Sequence, residues 1–376
     1  ARVITEGIYH GAYCYDELTS NPEKNRPRRL TASITEEDAD KIKAVRKGIK
    51  TGRITGRAQN FSRTLANRPG NIIYPAALAN EARRLARSTS NLTCTVFDEK
   101  KISKMGMGGI KAIGEGSTHK PRFIVLKYRS KSAHAQKHPS IALIGKAVTF
   151  DSGGISLKPS AGMEEMKFDK SGGIAVLGVM KALSELKLPL NVCGIIPSAE
   201  NMPGPASCRP GDIVRTYSGK TVEIRNTDAE GRMLLCDAIH YAEKQKCGII
   251  IDIATLTGAC LAALGKYMAG LMSSSDKLAE KILSASEKSG ERLWRLPCGD
   301  EYASELKSRI ADLKNMGGKW GGASTAAAFL EQFTDKAEWA HIDMAGMGMF
   351  SEDKAGGSAG FGVRLLTEYL ITASKG

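Results

Sequence analysis

Asn226-Thr227-Asp228-Ala229-Glu230-Gly231-Arg232 crowds two carboxylates and a guanidinium beside a glycine. The stretch lies at a strand-to-helix boundary. Val222 to Arg225 is strand-like, and Met233 to Glu243 sets Met233, Leu234, Cys236, Ala238, Ile239 and Tyr241 on the apolar face of a helix. Asp228 and Glu230 are two apart, so an extended segment would point both to one side. Carboxylates aimed at one point suit divalent cations, which take hard oxygen ligands. Taken alone, the same residues also read as a helix N-cap with acids complementing the dipole.

Two upstream segments add to the pattern. The first is Ile144-Gly145-Lys146-Ala147-Val148-Thr149-Phe150-Asp151-Ser152-Gly153-Gly154-Ile155-Ser156-Leu157-Lys158-Pro159, and the second is Met166-Lys167-Phe168-Asp169-Lys170-Ser171-Gly172-Gly173. Ser140 to Ile144 is an apolar strand, so Lys146 and Asp151 fall at its C-terminal end, where ligand sites of open α/β sheets gather. Asp169 precedes a Ser-Gly-Gly helix start. Lys146, Asp151, Asp169, Asp228 and Glu230 thus all sit at strand ends or helix starts, with Lys158 close by.

The three segments closely resemble the signature of the M17 leucyl aminopeptidases, the cytosol aminopeptidase family of dinuclear-zinc peptidases. The heptapeptide at 226–232 matches without change. The likeness runs in order from Asn60 to Gly346, through Pro197-Ser-Ala-Glu-Asn-Met-Pro203, Ala254-Thr-Leu-Thr-Gly-Ala-Cys260 and Trp339-Ala-His-Ile-Asp-Met-Ala-Gly346. The resemblance implies that Lys146, Asp151, Asp169 and Glu230 hold one metal. It implies that Asp151, Asp228 (with its backbone carbonyl) and Glu230 hold the other, so that Asp151 and Glu230 bridge. The ions would be zinc or manganese, with magnesium also admissible. About four negative charges in one pocket are tolerable only if cations neutralise them. A lysine ligand must be neutral, and two divalent cations would disfavour its ammonium form. Without the likeness, Lys146 reads as a salt bridge to Asp151.

The implied activity is release of N-terminal residues, leucine-like ones preferred over a broad range, from short peptides. A metal-bridging water is the implied nucleophile, and a metal-bound free α-amine explains exopeptidase action. By resemblance, Lys158 stabilises the oxyanion, and Arg232 holds a bicarbonate that acts as general base. Met166, Thr255, Leu256, Gly258 and Ala345 would line the pocket for the first side chain, with Asn226 and Ala229 at its border. Met166 and Leu256 also read as ordinary core. The six histidines form no metal-spaced pair and no HExxH occurs. Three departures stand out: Ala147 where glycine is common, Lys170 where methionine is usual, and Gly173-Ile174 in place of Ala-Ala. A cation beside a ligand carboxylate would weaken metal affinity unless Lys170 points away.

The chain has 376 residues, 42% hydrophobic and 25% charged, an ordinary globular balance. Its charge is uneven. Residues 51–140 hold 17 Lys/Arg against 4 Asp/Glu, so nearly all of the +14 net charge lies there. Arg83, Arg84 and Arg87 fall on one helix, and Lys127, Arg129, Lys131 and Lys137 cluster near an expected surface loop. Such charge admits a nucleic-acid partner. No nucleic-acid motif accompanies it, and a solvated or inter-subunit face is the favoured reading. Eight cysteines show no CxxC, and Cys193, Cys236 and Cys260 lie in apolar runs, as buried thiols do. With no signal-peptide pattern, the expectation is a reducing, cytoplasmic setting. Cys247 to Gly265 reads as a strand, loop and helix rather than a membrane span.

Residues 1–45 look like the tail of an N-terminal α/β domain, with a polar stretch around Pro22, Pro27 and three arginines. Family members carry a whole domain ahead of this point. The chain begins with Ala1, which suggests a processed, cleaved or truncated form. Thr35-Glu36-Glu37-Asp38 reads as a helix start. Residues 46–66 read as a connecting helix, interrupted near Gly52 and Gly56. Residues 67–376 form the expected catalytic domain. Its strands at 123–127, 141–145, 192–196, 249–253 and 339–342 alternate with helices. That pattern predicts α/β architecture, a central sheet with helices on both faces, and the resemblance implies that the sheet is mixed and of the zinc-exopeptidase kind. The resemblance further implies a homohexamer enclosing its active sites. The alternatives are a nucleic-acid-binding protein of the same fold with secondary peptidase activity, and an unrelated two-metal phosphoesterase.

Overall fold

The structure, a computed structural model, describes residues 1–21, 31–137, 139–348 and 357–375. The stretch around Pro22 and Pro27 lies outside them. In chain order the strands are β1 (Leu92–Phe97), β2 (Arg122–Arg129), β3 (Ile141–Gly145), β4 (Ala147–Asp151), β5 (Asn191–Asn201), β6 (Ile213–Arg215), β7 (Thr221–Glu223), β8 (Ile249–Ala254), β9 (Ala269–Ser273), β10 (Leu293–Arg295), β11 (Leu313–Lys314) and β12 (Glu338–Asp343).

The main sheet runs β1-β2-β5-β3-β8-β12-β9-β10, with β4 also paired to β5, while β11-β7-β6 make a small separate sheet. β5, β3, β8 and β12 are mutually parallel. β1, β2 and β9 introduce antiparallel pairs. The sheet is therefore mixed, as the family resemblance implies, whereas alternation with helices alone points to parallel strands. Parallel strands covered on both faces read as continuous apolar runs, and every residue of Ile141–Gly145 is buried.

Period-two alternation divides those side chains between two cores. Ile141 and Leu143 face one core, with Ile251, Ile253, and helices Ser171–Leu186 and Val363–Ala373. Ala142 and Ile144 face the other, with Ile250, and helices Glu230–Lys244 and Gly322–Glu331. The helix after the heptapeptide starts three residues earlier than its apolar pattern, at Glu230. All six of its expected apolar residues are buried.

Several expectations need correction. The connecting helix begins at Ala39 rather than 46, directly after the helix start expected at 35–38, whose Asp38 side chain accepts from Asp40 N and Lys41 N. It is continuous through Gly52 and Gly56 to Asn67. Those glycines serve a close approach: a Cβ at Gly52 would lie 2.6 Å from Arg2 O, and one at Gly56 2.7 Å from Tyr9 Cβ. Helix Arg2–Gly11 packs against this groove. Lys127 and Arg129 belong to β2 rather than a loop. The strand before the heptapeptide is short, Thr221–Glu223, and lies in the small sheet.

Candidate metal centre and active site

The site forms where parallel strands end. Lys146 follows β3, Asp151 closes β4, Asp169 precedes helix Ser171–Leu186, and Glu230 opens helix Glu230–Lys244. Asp228 and Glu230 converge through a turn and a helix start rather than an extended segment. Carboxylate oxygens of Asp151, Asp228 and Glu230 all lie within 4.8 Å of one another. Asp169 joins them through Lys146, whose Nζ is 2.8 Å from Asp169 Oδ1 and 2.6 Å from Glu230 Oε1. Lys146 Nζ also donates to Thr255 O at 2.8 Å. The salt-bridge partner expected of Lys146, Asp151, is taken by Lys158 at 2.8 Å, and Lys158 also meets Asp228.

The backbone holds the cluster in place. Asp151 Oδ1 accepts from Gly153 N at 2.9 Å and from Asn201 Nδ2 at 2.8 Å. Gly153 and Gly154 have φ of +86° and +69°, which L side chains rarely adopt. Thr227 Oγ1 donates to Gly153 O at 2.6 Å, joining the first and third sequence motifs.

The electrostatics call for cations. Burial, then repulsion from Asp151 and Glu230, pushes the Asp228 carboxyl up to about 7. Burial raises Asp169 and Glu230 too, with carboxylate neighbours adding to it. Asp169 Oδ2 is buried with no hydrogen-bond partner, an expensive state for a carboxylate oxygen. Burial disfavours the charge on Lys146, but Asp169, Glu230 and Asp151 outweigh it and raise its pKa. Carboxylates that repel, with an oxygen lacking a donor, match what a divalent ion requires.

Arg232 is buried and donates from Nη1 to Asn315 O at 2.7 Å, while its Nε has no partner. Burial lowers its pKa to about 10, against the pull of Glu230 and Asp343. It sits in a cavity of about 300 Å³ with Asn226, Asp228, Ala229, Leu256, Gly258 and the 316–319 loop. Four of the seven expected substrate residues thus share one cavity with Arg232 and Asp228, while Lys158 does not line it. Met166, Thr255 and Ala345 do not line it. Thr255 Oγ1 instead donates to Asp169 Oδ1 at 2.7 Å, and Ala345 N to Asp343 Oδ1 at 3.2 Å. A larger cavity of about 590 Å³, around Lys111, Arg209 and Arg215, contains none of the site residues.

The three departures acquire physical meaning. Lys170 points away from the carboxylates. Its buried Nζ donates to Ala66 O and Arg68 O at 2.9 Å each, and to Lys167 O. It thereby caps carbonyls at the C-terminal end of the long helix, where no intrahelical donor remains. Ala147 and Gly173 compensate for each other: a Cβ at Gly173 would lie 2.7 Å from Ala147 Cβ. The methyl gained at one position occupies the space left at the other.

Sequence reasoning missed the buried trio behind the site. Asp252 Oδ1 is 2.5 Å from His341 Nδ1, and Asp252 Oδ2 accepts from Trp339 Nε1 at 2.7 Å. Burial opposes the charge on His341, but Asp252 outweighs it and raises its pKa. Asp343 was missed as well. It accepts from Leu256 N, Thr257 N and Thr257 Oγ1, and so shapes the 255–258 loop. The signal was present in period two: Trp339, His341 and Asp343 share one face of β12.

Known proteins resemble this chain over nearly its whole length. The sequence model of the cytosol aminopeptidase family, catalytic domain, matches residues 60–367. A "Probable cytosol aminopeptidase" of Chlorobaculum tepidum is 46% identical over 380 residues, covering 98% of this chain and 75% of that protein. The "Cytosol aminopeptidase" of Pseudomonas aeruginosa PAO1 is 44% identical, covering 100% of this chain and 75% of its own length. Among solved structures, "Bottromycin maturation enzyme BotP in complex with Mn" superposes with a TM-score of 0.89 at 36% identity. That match covers 99% of this chain and 79% of the other.

Proposed function

Because the chain belongs to the cytosol aminopeptidase family and is a metal-dependent aminopeptidase, we propose that it releases N-terminal residues from short peptides at a two-metal centre. One ion would be held by Lys146, Asp151, Asp169 and Glu230. The other would be held by Asp151, Asp228 and Glu230. The observation that carries this reading is the convergence of Asp151, Asp228 and Glu230 within 4.8 Å, beside the partnerless Asp169 Oδ2. A bound pair of divalent ions, zinc or manganese, would lower the pKa of a water and polarise the scissile carbonyl.

The chain's own residues do the rest. Lys158 is the more exposed of the two lysines, at 20% against 3%. It stands at the mouth of the Asp151–Asp228 pair, where it can donate to the developing oxyanion. Arg232 offers a buried guanidinium with a spare Nε–H. That suits a bicarbonate acting as general base. Leu256, Met316, Ala229 and Ala259 supply the apolar part of a lining that is mostly polar. This supports a preference for leucine-like residues with broad tolerance, since one methylene is worth only about 1–3 kcal/mol.

The test is hydrolysis of a panel of aminoacyl chromogenic amides by chelator-treated protein, with and without added Zn²⁺ or Mn²⁺. Metal-restored activity, highest on leucine-like amides and absent on N-acetylated ones, is expected. Equal rates on blocked and free amines would overturn the exopeptidase reading.

Assembly as a homohexamer belongs to the same proposal, and light scattering showing a stable monomer at micromolar concentration would contradict it. The eight free thiols support a reducing, cytoplasmic setting. Among the described residues no helix is long and apolar enough to cross a membrane. A nucleic-acid role rests on charge alone. Arg84 pairs with Glu81, Arg122 with Glu99 at 2.5 Å, and Lys127 with Gln245 at 2.8 Å. Arg63 is buried against Ser358 O. Acidic neighbours therefore offset part of the segment's charge, at Arg84 and Arg122, and Arg63 is buried.

A further inference from the structure

The cavity that contains Asp228 and Arg232 is walled on its far side by Met316, Gly317, Gly318 and Lys319, from a loop that continues through Trp320, Gly321 and Gly322. Its charges are laid out unevenly. Asp228 is the one carboxylate lining it, and belongs to the proposed metal centre, which would receive a substrate's free amine. Of its two cations, Arg232 is at the floor, 8% exposed. Lys319 is at the exposed rim.

The rim is built to hold that lysine out. Gly318 N donates to Glu305 Oε2 at 2.8 Å, which anchors the loop. Gly321 has φ of +63°, a turn suited to glycine. Lys319 Nζ lies 4.8 Å from the Trp320 ring centroid, a cation–π contact that orients the ammonium. It makes no salt bridge among the described residues. Trp320 itself is 77% exposed, so indole and ammonium together form an open, unneutralised edge.

Resting on the aminopeptidase reading, we infer that Lys319 binds the C-terminal carboxylate of short peptide substrates, so that the cavity selects peptides by both ends. A zwitterionic di- or tripeptide matches this layout: its amine goes to the carboxylate end and its carboxylate to the lysine at the rim. Both groups line one cavity of about 300 Å³, and an extended chain gains at most about 3.3–3.6 Å per residue, so a peptide that meets both is short. Longer peptides and C-terminal amides forgo the second contact. A lysine in this position is a point charge that tolerates varied carboxylate geometry, as a broad-range enzyme needs.

The experiment compares kcat/KM for Leu-Gly-Gly with that for its C-terminal amide, in the metal-loaded protein, Lys319→Gln and Lys319→Glu. At low ionic strength the wild type should favour the free acid by about two- to fivefold, the range of a partly exposed ion pair, and the preference should shrink in 0.5 M salt. Lys319→Gln should bring the ratio to about one, and Lys319→Glu below one, with both variants melting as the parent does. A wild-type ratio of one, or a ratio unmoved by either substitution, would overturn the inference while leaving the aminopeptidase reading intact. Failure of the wild type to cleave acid and amide alike would overturn the aminopeptidase reading itself.

Discussion

Gly231→Ala adds one methyl group directly over Lys146. A Cβ at 231 would lie 2.8 Å from Lys146 Cδ, Cε and Nζ alike, whereas non-bonded carbons rest at about 3.5–4.0 Å. One partner must move by roughly 0.7 Å or more. Lys146 has little room to yield, because its side chain is 3% exposed and its Nζ is held by Asp169, Glu230 and Thr255 O. The helix carrying Gly231 also carries Glu230, so moving the helix displaces a second proposed ligand. Metal sites tolerate about ±0.2 Å in ligand distance, several times less than the forced shift. Overpacking of this kind costs about 1–3 kcal/mol, and stability is typically 5–15 kcal/mol, so the variant should still fold. Metal affinity should fall by at least the 10–100-fold seen when supporting groups around a metal are altered. Calorimetric titration of chelator-treated protein with Zn²⁺ or Mn²⁺ measures this, beside a thermal melt. Gly7→Ala, where a Cβ meets nothing within 4 Å, is the control. Wild-type metal affinity in Gly231→Ala would refute the assignment of Lys146 as a ligand.

Lys158→Ala should keep the metal stoichiometry and lower kcat by about 10²–10³, the usual loss for one oxyanion donor; loss of a metal instead would merge the roles of the two lysines. Lys170→Met removes a buried donor shared by three carbonyls. It should destabilise by about 2–4 kcal/mol, the loss of those bonds being partly offset by the relief of a buried charge; denaturant unfolding with an unchanged midpoint would contradict the capping role. Asp237 is buried, and burial raises its carboxyl from 3.8 to about 7 against the backbone donors Tyr217 N and Ile110 N. A raised folded pKa gives stability that is complete below pH 4 and lost as pH rises through 7, worth about 4 kcal/mol in all. Asp237→Asn should therefore flatten the fall in unfolding free energy between about pH 4 and 7, and parallel pH profiles for the two proteins would contradict this.

The chemistry of the site was legible because it is local. Asp228, Glu230 and Arg232 lie within one heptapeptide, and Lys146, Asp151 and Asp169 mark the ends of strongly apolar strands or the start of a helix. The sheet's faces followed from runs such as Ile141–Gly145, which cannot be solvated on either side. What escaped depended on distant partners. Gly52 and Gly56 look like helix breakers until helix Arg2–Gly11 is seen lying against them. Lys170 looks like a threat to Asp169 until the carbonyls of Ala66 and Arg68 are seen facing it. The convergence of Asp228 and Glu230 was expected for the wrong local geometry, since a turn and a helix start do the work of the extended segment. Asp252 and His341 sit in apolar strands, and only the parallel register of β8 and β12 places them side by side.

Anomalous diffraction from a crystal soaked in Mn²⁺ or Zn²⁺ tests the two-metal centre most directly. Two peaks about 3.5–4 Å apart, both bonded to Asp151 and Glu230, with Lys146 and Asp169 on one and Asp228 on the other, are the expected result. A single peak, or none at saturating metal, would contradict it.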